Sequence, residues 1–120
     1  MRPRRSLLAL AAALTLALAA PAAAQAYWGS IAIDPETGAV GIVAGKATAQ
    51  AAKQAAKNRC GDPHCKSALW VFNGWGAVVK KKSGVYISGI GATKAKAFAN
   101  ARRRAGERAP AFASVFSGLS

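Results

Sequence analysis

Apolar and polar positions along this chain switch between a period of two and a period near four, and the whole sequence of switches occurs twice. The run "WGSIAI" at 28–33 and the run "WGAVVK" at 75–80 are almost continuously apolar. Each leads into a polar turn, "DPETG" in the first case and "KKSG" in the second. A second short apolar run follows, "AVGIVAG" at 39–45 and "VYISGIG" at 85–91. Short apolar runs rich in β-branched residues and split by Gly, Pro, Asp or Ser predict strands joined by a hairpin.

The period then changes. Alanine-rich stretches, "ATAQAAKQAAKNR" at 47–59 and "ATKAKAFANARRR" at 92–104, predict one helix in each half. In the first, Lys46, Gln50, Lys53 and Lys57 share one face, and Ala51, Ala52, Ala55 and Ala56 form the opposite, buried side. In the second, Ala95, Phe98, Ala99 and Arg102 share a stripe that predicts Phe98 as the buried anchor, with Thr93 as N-cap. Each half closes on an apolar aromatic strand, "SALWVF" and "AFASVF", ending in "VFNG" or "VFSG". The chain is therefore two copies of one strand-strand-helix-strand unit, 27–74 and 75–120. One unit of about 45 residues lies near the lower limit for independent folding, so the two are expected to bury a common core. The expected class is α+β, with approximate two-fold symmetry, a mainly antiparallel sheet of about six strands and both helices on one face.

The first 26 residues stand outside this pattern. Basic "MRPRR", the apolar run "LLALAAALTLALAA" and "PAAAQA" have the order of a cleaved export signal ending at Ala26. The apolar run is shorter than the roughly 20 residues of a membrane span. Arg4 and Arg5 fit either general secretion or a twin-arginine route. Cleavage of 26 of the 120 residues would leave 94, with no transmembrane span, in the periplasm or outside the cell. Three arginines leave with the signal, which takes the net charge from +13 to +10. That balance favours an acidic protein or an anionic envelope component as partner, and export disfavours nucleic acid.

Cys60 and Cys65, in "CGDPHC", are the two cysteines. An oxidising compartment and the turn-forming Gly61, Asp62 and Pro63 predict a disulfide. A zinc site with His64 would lack a fourth ligand, and the spacing differs from that of redox motifs.

Trp-Gly followed by the Asp-Pro-x-Thr-Gly turn in "YWGSIAIDPETGAVG", the Ala-rich helix running into Cys60, then Cys65 and "FNGWGAV" together resemble an exported bacterial family called domain of unknown function 4189. The resemblance covers essentially the whole chain after residue 26 and implies a small exported domain without a stated activity. In that family the position of Trp75 is often a cysteine and the second unit often has cysteines of its own; this chain has neither.

Catalytic groups are few. The titratable acids are Asp34, Glu36, Asp62 and Glu107, with a single histidine, His64. Asp34 and Glu36 are expected as solvated turn residues, and Asp62, His64 and Ser67 would make a triad by arithmetic alone. Gly45 and Lys46 before a helix could offer amides to an anion. The densest charge runs are Lys80, Lys81 and Lys82 on the second hairpin and Arg102, Arg103 and Arg104, with Arg108, late in the second helix. These six, Lys80–Lys82 and Arg102–Arg104, are the candidate anion-docking residues, against the plainer roles of protecting a strand edge and complementing a helix dipole. The expected function is a non-enzymatic exported binding domain that needs no cofactor or metal. Its alternatives are an inhibitor or immunity-type protein for one secreted enzyme, or a small hydrolase.

Overall fold

The computed structural model describes residues 27–118, so the predicted signal segment lies outside the described residues. The order is β1 (Trp28–Ile33), β2 (Val40–Lys46), α1 (Ala49–Cys60), β3 (Lys66–Phe72), β4 (Trp75–Lys80), β5 (Tyr86–Gly91), α2 (Lys94–Ala105) and β6 (Ala111–Phe116). The second helix begins directly after Thr93, its predicted N-cap, and the first begins in the same way after Thr48. Thr48 and Thr93 take extended N-cap conformations, accepting the N–H of Ala51 and Lys96 on their hydroxyls at 3.1 Å. Gly61 and Gly106 close them in the left-handed region, where a side chain would be strained.

The α+β class, the antiparallel pairing and the two similar units are as expected, but the six strands form two sheets and not one. Their orders are β2-β1-β3 and β5-β4-β6, all pairs antiparallel. The sheets face each other across Ile31, Ile33, Leu69, Val71, Val78 and Val115. On the outer side of the first sheet, Ala32 and Val43 pack against Ala52, Ala56 and Cys60 of α1. On the outer side of the second, Val79 packs against Ala101 and Ala105 of α2. The helices thus cover opposite outer faces instead of sharing one. The reason lies in the central strands: β1 is buried at every position after Trp28, and β4 at every position between Trp75 and Lys80. Strands apolar on both faces need cover on both. A single sheet with its helices on one side would leave the isoleucine and valine layer in water.

The buried stripe of α2 is Ala97, Ala101 and Ala105, one step from the stripe predicted through Ala95, Phe98 and Ala99. Phe98 is only half-buried at the margin. Alanine lines this face because the backbones approach closely. A Cβ on Gly41 would collide with the backbone of Ala56 and Cys60, and one on Gly89 with that of Ala97 and Ala101.

The recurring phrase ending each unit is a clasp. Asn73 donates its N–H to Tyr27 O at 3.2 Å and accepts the Tyr27 N–H on Oδ1 at 3.3 Å. Ser117 donates its N–H to Gly74 O at 2.9 Å and accepts the Gly74 N–H on Oγ at 2.8 Å. Both side chains tie the end of the closing strand to the residue before the tryptophan of the central strand. Trp28 then stacks on Phe72 at 4.9 Å and Trp75 on Phe116 at 5.3 Å, the shared packing role that their equivalence implies. β1–β3 and β4–β6 even carry the same register shift, after Ile31 and after the matching Val78.

Asp34 departs from expectation. It is 1% exposed, not a solvated turn residue. Its carboxylate accepts the N–H of Glu36 at 2.9 Å and of Thr37 at 3.4 Å, and its backbone closes the β1–β2 turn to Ala39 and Gly38. A side-chain hydrogen bond with Asp62, then the Glu36 amide, hold its pKa down from 3.8 to about 2 against the opposing effect of burial.

Cys60 and Cys65 are joined by a disulfide. Register and helix alignment place Ala105 and Ala109 at the same two positions of the second unit, both buried. The bridge therefore adds a staple to packing that alanines satisfy without one. Changing Cys60 and Cys65 together to Ala should retain the native far-ultraviolet circular dichroism while lowering stability in urea by about 2 kcal/mol.

Asp34 supplies a pH-dependent term. Its folded pKa is depressed, so its contribution is full above the ordinary value of 3.8 and is lost as pH falls toward about 2. In acid titrations of stability, Asp34→Asn should lose less than the native chain between those two pH values; parallel curves would remove Asp34 from the acid response.

Candidate functional site

The second hairpin is built to project its charges. β4 loses its apolar partners after Val79, and Lys81 donates its N–H to Val85 O at 2.8 Å while Gly84 donates to Lys81 O at 2.9 Å. The resulting turn leaves Lys80 and Lys82 exposed, with Lys80 Nζ 5.5 Å from the Tyr86 ring centroid. The loop between α2 and β6 runs beside it: Lys80 N–H donates to Pro110 O at 3.2 Å, and Lys82 N–H to Glu107 Oε2 at 3.1 Å. Pro110, with Arg102 and Arg108, lines a shallow groove of about 490 Å³. Arg102 is held there by its Nε–H to Ala109 O at 2.9 Å and by its place over the Phe98 ring at 5.5 Å.

The structure therefore divides the predicted basic residues. The Lys80–Lys82 hairpin bonds the loop of Glu107 and Pro110, and Arg102 and Arg108 line the groove beside that loop. Arg103 and Arg104 turn toward the edge of the sheet. Arg104 donates to Ser88 O at 2.7 Å, and Arg103 bonds the side chain of Asn100, whose Nδ2–H donates to Ile90 O at 2.6 Å. In the first unit Arg59 does the same to Ile42 O at 3.0 Å. The register makes Ile42 and Ser88 equivalent, paired with Ile31 and Val78, the fourth residues of their central strands. Basic residues late in a helix are visible in the sequence; that two of them reach over to bond a strand edge is not.

The two hairpins at this end carry opposite charges: Asp34 and Glu36 belong to the first, where the second has Lys80–Lys82, while the post-helix loops carry an acid at the same position in both units, Asp62 and Glu107. Between the two hairpin ends lies a groove of about 440 Å³ whose walls include Ile33, Pro35, Lys66, Val85 and Tyr86. Val85 is 52% exposed at its rim. No sequence signal announces this groove, since it is formed by one unit docking on the other.

The catalytic arrangements weighed from the sequence are not assembled here. Asp62 accepts the backbone N–H of His64 at 2.7 Å, and the Ser67 hydroxyl is buried without a hydrogen-bond partner among the described residues. The bonded Cys60 and Cys65 do not offer thiolates to a metal. The Gly45 amide donates to Ser117 O at 2.9 Å and is not directed to an anion. No helix among the described residues is long and apolar enough to cross a membrane.

Comparison with known proteins agrees with this architecture. No curated protein is significantly similar to the chain. The solved NMR structure of Rv1813c from Mycobacterium tuberculosis is similar to it at 30% sequence identity and a TM-score of 0.60, covering 75% of this chain and 74% of that one. A family model described as domain of unknown function (DUF4189) matches residues 28–114, the span from the first tryptophan nearly to the end of β6. The chain belongs to this family of domains of unknown function, DUF4189.

Proposed function

We propose that the protein is an exported, non-enzymatic binding domain that docks on an acidic protein or an anionic envelope component through the basic end of its second unit. The observation that carries this reading is the meeting of the β4–β5 hairpin with the α2–β6 loop. It brings Lys80, Lys81 and Lys82 beside the loop that carries Glu107 and Arg108, with Arg102 lining the adjoining groove. An apolar groove with Val85 at its rim adjoins the same hairpin, so the surface offers charge for steering and apolar area for retention. Export rests on the N-terminal signal pattern and agrees with the disulfide, which persists in oxidising compartments.

A partner in the form of one secreted enzyme, held stoichiometrically, is the narrower version of this reading. The asymmetric end favours it, because the exposed Glu36 on one hairpin and the lysines on the other select a partner with a matching charge pattern.

The test is capture of envelope and secreted components by the protein purified from an exporting host, beside a variant with Lys80, Lys81 and Lys82 changed to Ala. Retention of a stoichiometric partner through a moderate salt step, and its loss from the variant, is the expected result. Equal capture by both proteins would remove the hairpin from the binding surface. Elution of mixed anionic material at low salt from both would reduce the charge to a general surface property.

A further inference from the structure

Two three-stranded sheets have four edge strands, here β2, β3, β5 and β6. An edge strand presents unpaired backbone N–H and C=O groups, and proteins that do not use such an edge cover it. Two of the four, β2 and β5, have outward backbone groups bonded, and β6 is tied just beyond its last residue. On β2, Ile42 O accepts the Arg59 guanidinium, and the Gly45 N–H is paired with Ser117 O. On β5, Ser88 O and Ile90 O accept Arg104 and Asn100, alternate outward carbonyls taken by one helix. The end of β6 is closed by that same Gly45 to Ser117 bond across the sheets.

β3 is treated differently. Among the described residues, the side-chain bond to its backbone is that of Ser30 Oγ–H to Leu69 O at 2.8 Å, which comes from its sheet neighbour β1 and leaves the outer edge open. Its exposed side chains are large: Trp70 and Phe72 are each 47% exposed, two residues apart on one face. Trp28 extends that face by stacking on Phe72. The second unit repeats the Phe72–Trp28 pair as Phe116, 38% exposed, with Trp75; what belongs to the first unit alone is Trp70. The pairing register places Ser114 of β6 where β3 has Trp70, and helix alignment places Phe98 of α2 where α1 has Lys53. In the second unit a half-buried helix aromatic fills the gap beside the closing strand. In the first, the aromatic comes from the strand itself and stands in solvent, with Lys53 Nζ 4.3 Å from the Trp70 ring centroid.

The geometry points to β3 as the docking edge for an extended, acidic segment of a partner protein, which adds to the first sheet as a fourth strand. Backbone pairing with Lys66–Phe72 supplies the hydrogen bonds, and Trp70 and Phe72 receive every second side chain of the incoming strand. Acidic character follows from the setting. Lys53 stands over the aromatic surface, Lys66 begins the strand, Lys46 pairs opposite Trp28, and the net charge, +13 for the whole chain, is still +10 without the three arginines of the signal. The same charge opposes pairing of β3 with a second copy of this chain. The inference rests on the reading of an acidic partner given above, and adds a second, separate contact to the hairpin.

The probe is a set of eight-residue peptides alternating Asp or Glu with Val, Ile or Tyr, titrated into the protein purified from an exporting host. Binding is followed by fluorescence anisotropy, and its location by amide hydrogen exchange. Slowed exchange confined to β3 amides is expected. Two backbone-methylated forms of the best binder, blocked at odd or at even residues, should differ, one binding about tenfold or more weakly and the other as the parent. Trp70→Ala should weaken binding by about tenfold.

Equal binding of both methylated forms would mean electrostatic adsorption and overturn the proposal, as would no slowing at β3 with millimolar peptide. Slowed β3 exchange that appears without peptide and grows with protein concentration would place a second copy on the edge and overturn the acidic-segment assignment. The variant with Lys80, Lys81 and Lys82 changed to Ala separates the two readings. It should keep peptide binding at β3, whatever its capture of envelope partners; loss of β3 binding in it would return the contact to the hairpin and sink the edge proposal.

Discussion

Everything in this fold follows from strands that cannot tolerate water on either face. β1 and β4 have apolar side chains on both sides of the pleat, so each needs two covers, and a unit of one helix and three strands has only one to give. The missing cover is the other unit. Ile31, Ile33, Leu69 and Val71 of the first sheet meet Val78 and Val115 of the second, each buried aliphatic contributing about 1.5–3 kcal/mol when removed from water. Neither half has another core large enough to stand alone, since the helix-facing layers are made largely of alanine. The duplication is thus a condition of folding: a unit of this composition is stable when it finds its own image.

Once the halves are paired, the residues common to both are consumed by the pairing. Asn73 and Ser117 fasten strand ends, Trp28 and Trp75 cover those fastenings, and Arg59 and Arg104 block the same edge carbonyl in the two sheets. Equivalent positions with equivalent bonds are what stability requires. Arg104 is exposed but already engaged. Its donor is already directed at Ser88 O, as Arg59 is at Ile42 O, and a partner would have to compete with that bond.

Legibility in the sequence divides along the same line. Repetition makes the two units and the order of their elements legible, because each half confirms the other, and the cap at Thr93 and the bridge of Cys60 to Cys65 are legible because their signals are local. Properties that arise only when the units dock were hidden. The apolar character of "WGSIAI" and "WGAVVK" on both faces does imply two covers, but the expectation of one sheet used only one of them. Asp34 reads as an ordinary turn acid because nothing in "DPETG" reveals that the loop carrying Asp62, nearly thirty residues on, closes over it. The α2 stripe was misjudged because a phenylalanine looks like the better anchor. What decides the contact is how closely Gly89 lets the backbone of Ala97 and Ala101 approach, and an aromatic would hold the helix away.

The internal repeat also serves as a control for function. A residue whose counterpart in the other unit does the same work is explained by the fold; one whose counterpart differs is free to do something else. By that criterion the informative positions are few. Lys80–Lys82 stand where the first unit has the acidic hairpin, Trp70 where the second has Ser114, and Lys53 where it has Phe98. Cys60 and Cys65 differ from Ala105 and Ala109 too, yet both pairs are buried against their helices, so that difference alters stability and leaves the surface unchanged. The other differences just named reach the surface, and they sort by unit: cations beside an apolar groove in the second, an aromatic strand edge with a lysine above it in the first. A scaffold that uses its symmetry to fold and its asymmetry to present two unlike surfaces is suited to holding one partner at two points. Binding at two points through one rigid body raises affinity without enlarging either contact.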